Sequence, residues 1–238
     1  MNKTISNAAP IILVPGFWLG AWAWDDVTEA LRAEGYDVRP LTLPGLESND
    51  TDRSAIKLSD QVDAICDAVE LAGEPVVLAV HSAAGATGYA VSDRMPEQIA
   101  AMVYVDSFPE KDAINPEFDG VEMPLPPWEE LDEADIRGMS DEHRNLLRQR
   151  AVPVPGGVVR DAPVLANNRR LDVPSTVICT AHTSDEIKSF VEKGWMSGLE
   201  ELHNVTYVDL PTHHWPMWSR PRELASIIGD VARRTIED

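Results

Sequence analysis

The sequence predicts an α/β protein with a mostly parallel central sheet and helices on both of its faces. Three observations lead there. Short apolar runs of strand length alternate with amphipathic stretches of helix length. Hydrophobic residues make up 44% of the 238 residues, enough to bury a full core, and no Gly/Ser-rich or Pro-rich linker divides the chain. The residue types that carry chemistry fall just beyond the apolar runs, where open parallel sheets bind ligands.

In chain order, residues 11–14 (IILV) read as the first strand, followed by a loop and a helix over 24–33 that Gly35 ends. Residues 38–43 give a second strand, stopped by Pro44-Gly45. Ser59 is expected to cap a helix in which Val62, Ile65, Cys66 and Val69 recur at i, i+3, i+4 and i+7, one face turned to a core. Residues 76–80 form a third strand, and a helix of small residues runs over 83–94. Strands over 101–105, 176–179 and 205–210 bring the number to six, with helices over 185–193 and 222–234. Between Pro109 and Pro174 the rhythm breaks into Pro-rich, acidic sequence with helices expected over 128–137 and 141–150. The chain therefore reads as a single domain over 1–238 in which 110–174 is an insertion over one edge of the sheet, a cap or lid.

Composition excludes several classes of function. Forty acidic and twenty basic residues leave a formal charge of −20, which argues against nucleic acid and anionic membrane surfaces as partners. The opening "MNKTISNAAP" lacks a signal-peptide core, and no later apolar run reaches the roughly 20 residues of a membrane span, so a soluble cytoplasmic protein is expected. Cys66 and Cys179 have neither disulfide-framework nor ligand spacing and read as core fillers. No metal and no cofactor is expected: His143, His182 and His203 lack ligand spacing with one another, and "GATG" near residue 88 is far from a dinucleotide fingerprint.

The segments after the strands are "PGFW" (15–18), "HSAAG" (81–85), "DSFP" (106–109), "TAHTSD" (180–185) and "THHWPMW" (212–218). Small residues after Ser82 leave room for a sharp strand-to-helix turn that holds a side chain out for chemistry; the alternative is a tight crossover in which Ser82 only caps the helix. A serine hydroxyl is a weak nucleophile until a histidine removes its proton and a carboxylate orients that histidine. Ser82, Asp106 and His214 supply the three types in the order Ser, Asp, His.

These residues and motifs resemble the α/β-hydrolase fold, in particular the branch holding plant methylesterases, hydroxynitrile lyases and their bacterial esterase relatives. "LVPGFWLGAWAW" is similar to that branch's oxyanion loop, "VHSAAG" stands at the nucleophile elbow, and "HHWPMWSRPRELA" resembles the Gly-His-x-Pro segment bearing the histidine. Two departures stand out: Val80 and Ala84 replace the glycines of G-x-S-x-G, and His213 stands where a glycine precedes the family's histidine.

The resemblance implies Ser82 as nucleophile and His214 as base, with His213 preferred as a pocket wall or a support for the base over the alternative that it is the base itself. For the acid it offers two places. Asp106, after the strand that follows the nucleophile helix, is preferred to Asp185, which reads as a first-turn helix acid; Asp209, inside the last strand, is expected to be structural. The backbone N–H groups of Phe17 and Ala83 are the expected oxyanion donors. Trp18, His81, Trp128, His213 and Trp215 are the expected pocket residues, and a small, rather apolar ester or lactone the expected substrate. A hydroxynitrile-lyase-type reaction is one rival, disfavoured because none of the strand-end loops contains lysine, and a ligand-binding protein with a weak triad is another.

Overall fold

A computed structural model describes residues 8–235. Its elements are, in order, β1 (Ile11–Val14), α1 (Asp25–Ala33), β2 (Val38–Pro40), α2 (Leu58–Ala72), β3 (Val76–His81), α3 (Ala84–Arg94), β4 (Ile99–Val105), β5 (Glu122–Met123), α4 (Glu133–Ile136), α5 (Asp141–Arg150), β6 (Val154–Pro155), α6 (Gly156–Arg160), β7 (Ser175–Cys179), α7 (Ser184–Glu192), α8 (Ser197–Glu200), β8 (Val205–Asp209), α9 (Pro216–Ser219) and α10 (Pro221–Arg234). Six strands form one sheet in the order β2-β1-β3-β4-β7-β8, and every pairing in it is parallel.

Side chains alternate between the two faces of each strand, so a sheet covered on both sides splits the apolar residues into two cores. Ile12, Val14, Leu78, Val80, Met102 and Tyr104 pack with Val62, Ile65 and Val69 of α2 and Val91 of α3. Ile11, Leu13, Val77, Ala79, Val103 and Val105 pack with Val27 and Leu31 of α1 and Leu224 and Ile228 of α10. The two cysteines are free and buried.

Three of the expected boundaries that differ have a clear local cause. The second strand ends at Pro40 rather than residue 43: proline has no N–H for a ladder, and it is tolerated because β2 lies at the sheet edge. The helix expected to start at Ser59 begins at Leu58, where the Asp60 carboxylate accepts the Lys57 N–H at 2.7 Å and so completes the first turn without a serine cap. The helix expected over 128–137 is broken into a 3₁₀ turn (Trp128–Glu130) and the short α4, because Asp132 accepts the Ala134 N–H and starts a new helix.

Residues 106–174 carry β5, α4, α5, β6 and α6, of which β5 and β6 pair as a two-stranded antiparallel ribbon. Long-range bonds tie this segment to the strand-end loops: Trp18 Nε1 donates to Met123 O at 3.1 Å, Val152 N donates to Trp18 O at 3.0 Å, and Arg53 Nε donates to Pro153 O at 2.8 Å. Among the described residues, no helix is long and apolar enough to cross a membrane.

Candidate active site

Parallel register sets where the site forms. His81 pairs with Val105, and Val105 with Ile178, so β3, β4 and β7 end at one level, with Ser82 and Asp106 the next residues on their strands. Both turn sharply there: φ is +55° at Ser82 and +43° at Asp106. With Trp18 (φ +65°) they are the three non-glycine residues at positive φ among the described residues, and all three follow sheet strands at this one edge. Each such residue costs about 1–3 kcal/mol, strain that concentrates where a fold has a site to build.

The turn at Ser82 is held on every side. Its N–H donates to Val105 O (3.2 Å), and its carbonyl accepts from Gly85 N (3.0 Å) and Ser107 Oγ (2.5 Å). Gly16, the loop residue beside it, has no room for a side chain, since a Cβ there would lie 2.7 Å from Ser82 Cβ and 2.9 Å from His81 O. Val80, the departure from the elbow pattern, fits because Gly88 leaves its γ-methyl the space: a Cβ on Gly88 would come within 2.5 Å of it.

A continuous hydrogen-bonded chain runs from this turn. Ser82 Oγ donates to His214 Nε2 at 2.7 Å, and His214 Nδ1 donates to Asp106 Oδ2 at 2.6 Å. The other carboxylate oxygen of Asp106 accepts the backbone N–H groups of Thr180 (3.1 Å) and Ala181 (3.3 Å) at the end of β7. Burial alone would raise the Asp106 pKa; the hydrogen bond and charge of His214, with the bonds from Thr180, override it and bring the carboxyl down to about 2. For His214, burial pulls downward, and the Asp106 hydrogen bond with the charges of Asp106 and Asp135 turns the net shift upward.

The backbone of His214 is clamped too. Its N–H donates to Asp135 O at 2.9 Å and its carbonyl accepts from His81 Nε2 at 2.7 Å. His81 is buried; desolvation, then the neighbouring His214 charge, lowers its pKa to about 3, so it stays neutral. His213 Nδ1 accepts the Trp215 N–H, and its ring meets His143 edge-on at 5.8 Å. Trp215 stands edge-on to His214 at 5.0 Å and stacks on Trp218 (5.9 Å), which stacks on Trp22 (5.8 Å). His81, His213 and Trp215 are all buried, so they back the imidazole instead of facing open space. Trp18 is half-buried and edge-on to Phe17, whereas the Trp128 ring meets the guanidinium groups of Arg144 (5.2 Å) and Arg148 (4.4 Å).

Asp185 is far from this chain of bonds: its carboxylate is 93% exposed and pairs with Lys188. Thr183 and Glu186 form a capping box for α7, and Asp209 accepts both the N–H and the hydroxyl of Ser184. Ala83 and Phe17, both half-buried, flank Ser82, and among the described residues neither backbone N–H has a hydrogen-bond partner. The sequence reading missed Asp135, the His81 clamp and the Ser107 bond. Asp106, Asp135 and His214 bring ligand-type atoms within 4.8 Å of one another, a spacing a cation could bridge. In this structure both ring nitrogens of His214 are engaged within the protein, one by Asp106 and one by Ser82. A separate cavity of about 660 Å³ opens at the opposite edge, where β4, β7 and β8 begin, lined by residues such as Ala101, Thr176 and Thr206.

The model of the alpha/beta hydrolase family matches residues 11–227. The chain belongs to that family. Among its relatives, methyl jasmonate esterase 1 of Vitis vinifera is 32% identical over 106 residues, 41% of this chain and 38% of that protein. A carbendazim-hydrolyzing esterase of Nocardioides sp. (strain SG-4G) is 29% identical over 102 residues, 42% of each. The matched region spans about two fifths of the length of these relatives. An extracellular alpha/beta-hydrolase from a Paenibacillus species superimposes with a TM-score of 0.77 at 16% identity over 94% of this chain and 99% of that one. A pyrethroid hydrolase from Sphingobium faniae JZ-2 gives 0.71 at 21% identity, over 97% and 99%. At such identities these two likenesses speak for the fold.

Proposed function

We propose that the protein is a serine hydrolase that cleaves a small, rather apolar carboxylic ester or lactone through Ser82, His214 and Asp106. The observation that carries this reading is the unbroken sequence of short bonds from Ser82 Oγ through the imidazole to Asp106, starting from a strained turn at a strand end. Ser82 Oγ attacks the ester carbonyl while its proton passes to His214 Nε2, and Asp106 fixes the proton on Nδ1. The oxyanion is taken by the N–H groups of Ala83 and Phe17. Collapse breaks the bond to the alkoxy group, which leaves as the alcohol with the proton from Nε2. Water then gives a proton to the same nitrogen, attacks the acyl group and frees the acid and Ser82.

The apolar side chains of Phe17, Trp18 and Phe108, on loops leaving β1 and β4, suit an apolar acyl or alkyl group. Two carboxylates at the imidazole and the net charge of −20 disfavour an anionic one. The relatives' names, which speak of esterases, agree with this reaction class. In this reading residues 110–174 act as a cap within a single domain. Hydrolysis of p-nitrophenyl acetate and butyrate by the wild type, lost in Ser82→Ala together with labelling by a fluorophosphonate, is the expected result. Turnover that survives Ser82→Ala, or no turnover and no labelling of the wild type, would refute it.

A further inference from the structure

Asp135 is in an unusual position for an acidic residue of a short surface helix. Its carbonyl holds the backbone N–H of His214 at 2.9 Å, and its side chain turns to the same residue, with Oδ1 3.9 Å from His214 Nδ1. The carboxylate is partly withdrawn from water, yet among the described residues no N–H or O–H donates to it. A carboxylate that gives up hydration without hydrogen bonds is destabilised unless a positive charge appears nearby. The one group beside it whose charge changes during acid–base chemistry at Ser82 is the imidazole of His214.

We propose that Asp135 is a second carboxylate for His214: a positioning residue that holds the histidine loop through its carbonyl and stabilises the imidazolium through its side chain. The proposal rests on the hydrolase reading above, because the imidazolium forms when Ser82 gives up its proton. The two acids divide the work. Asp106 accepts the Nδ1 proton and sets the tautomer, whereas Asp135, at a distance with no hydrogen bond, contributes charge alone. Because Asp135 comes from α4, the site is complete only when the segment between β4 and β7 is in place.

The charged and titratable groups around the imidazole are Asp106 after β4, Asp135 on α4, His81 on β3 and the adjacent His213; Asp132 and His182 act on Asp135. Burial raises the Asp135 pKa, and the His214 charge opposes that rise. Removing the Asp135 charge therefore makes His214 a weaker base.

The test is Asp135→Asn, which keeps the carbonyl bond and the shape and removes the charge. In a Ser82→Ala background the imidazole titration is read by NMR, independently of turnover, and the His214 pKa is expected to fall by about half a unit to one unit. In the active protein the acid limb of kcat/KM moves to lower pH by the same amount, and the plateau falls about three- to tenfold. Asp132→Asn is the control: it removes the same charge one helical turn away, keeps an N-cap side chain, and should move the titration less. A His214 pKa that stays put in Asp135→Asn, or moves equally in Asp132→Asn, overturns the proposal even if the wild type is an active esterase. Absent esterase activity with a shifted titration would instead refute the hydrolase reading and leave the electrostatic contact standing.

Discussion

Replacing Asp106 by asparagine should do far more than remove a charge. Its Oδ1 accepts two backbone N–H groups, from Thr180 and Ala181, at 3.1 and 3.3 Å. An asparagine there must keep its oxygen on that side, because its amide N cannot accept. The amide then points its N–H at His214 Nδ1, 2.6 Å away in the wild type, and only an unprotonated Nδ1 can receive it. The imidazole proton is forced to Nε2, which faces Ser82 Oγ at 2.7 Å and can no longer take its proton. A wrong tautomer of this kind costs about 10⁴ in kcat, or about 5 kcal/mol of barrier. Asp185→Asn removes an exposed carboxylate that meets only Lys188 and should leave kcat within about a factor of two. Both variants would be assayed on p-nitrophenyl butyrate alongside melting curves to exclude unfolding. If Asp106→Asn retained more than about a tenth of wild-type kcat, or if Asp185→Asn caused the large loss, the role given to Asp106 would be wrong.

Two further outcomes concern stability. His213 is buried, and desolvation, followed by the charges of His143 and His214, lowers its pKa to about 4 from an ordinary 6.5. The unfolded chain therefore binds this proton first as pH falls. Stability that is present above about pH 6.5 is lost toward pH 4, by about 3 kcal/mol, and denaturant titrations of His213→Gly should show a correspondingly flatter acid limb. Gly85→Ala would put a methyl 2.0 Å from Phe108 O, so backbone must move; a loss of about 1–3 kcal/mol, at about 2–4 °C in melting temperature per kcal/mol, is expected by calorimetry.

Much of this was legible in the residues because buried parallel strands leave strong marks. The apolar runs located all six sheet strands, and the small residues after Ser82 marked the turn that packs α3 against the loop after β4. Asp106 could be singled out because a strand end is a fixed point. Asp135 could not: it lies in the acidic run "WEELDEADI", where no local feature separates one carboxylate from its neighbours, and its partner is distant in sequence. The helix start at Leu58 escaped because the capping acceptor is Asp60, two residues inside the helix. The expected pocket roles of His81, His213 and Trp215 depended on which way each ring turns. Tertiary packing settles that, and it buries all three behind His214.

The column of Trp22, Trp218 and Trp215 has an optical consequence. Near-parallel indoles 5.8 and 5.9 Å apart couple their ultraviolet transitions, so the three rings absorb as a unit and their near-ultraviolet spectrum changes when any one of them is removed. Trp215 packs against the rings of both His214 and His213, whose protonated forms quench indole emission, so its fluorescence responds to the ionisation of the two rings together without any added dye.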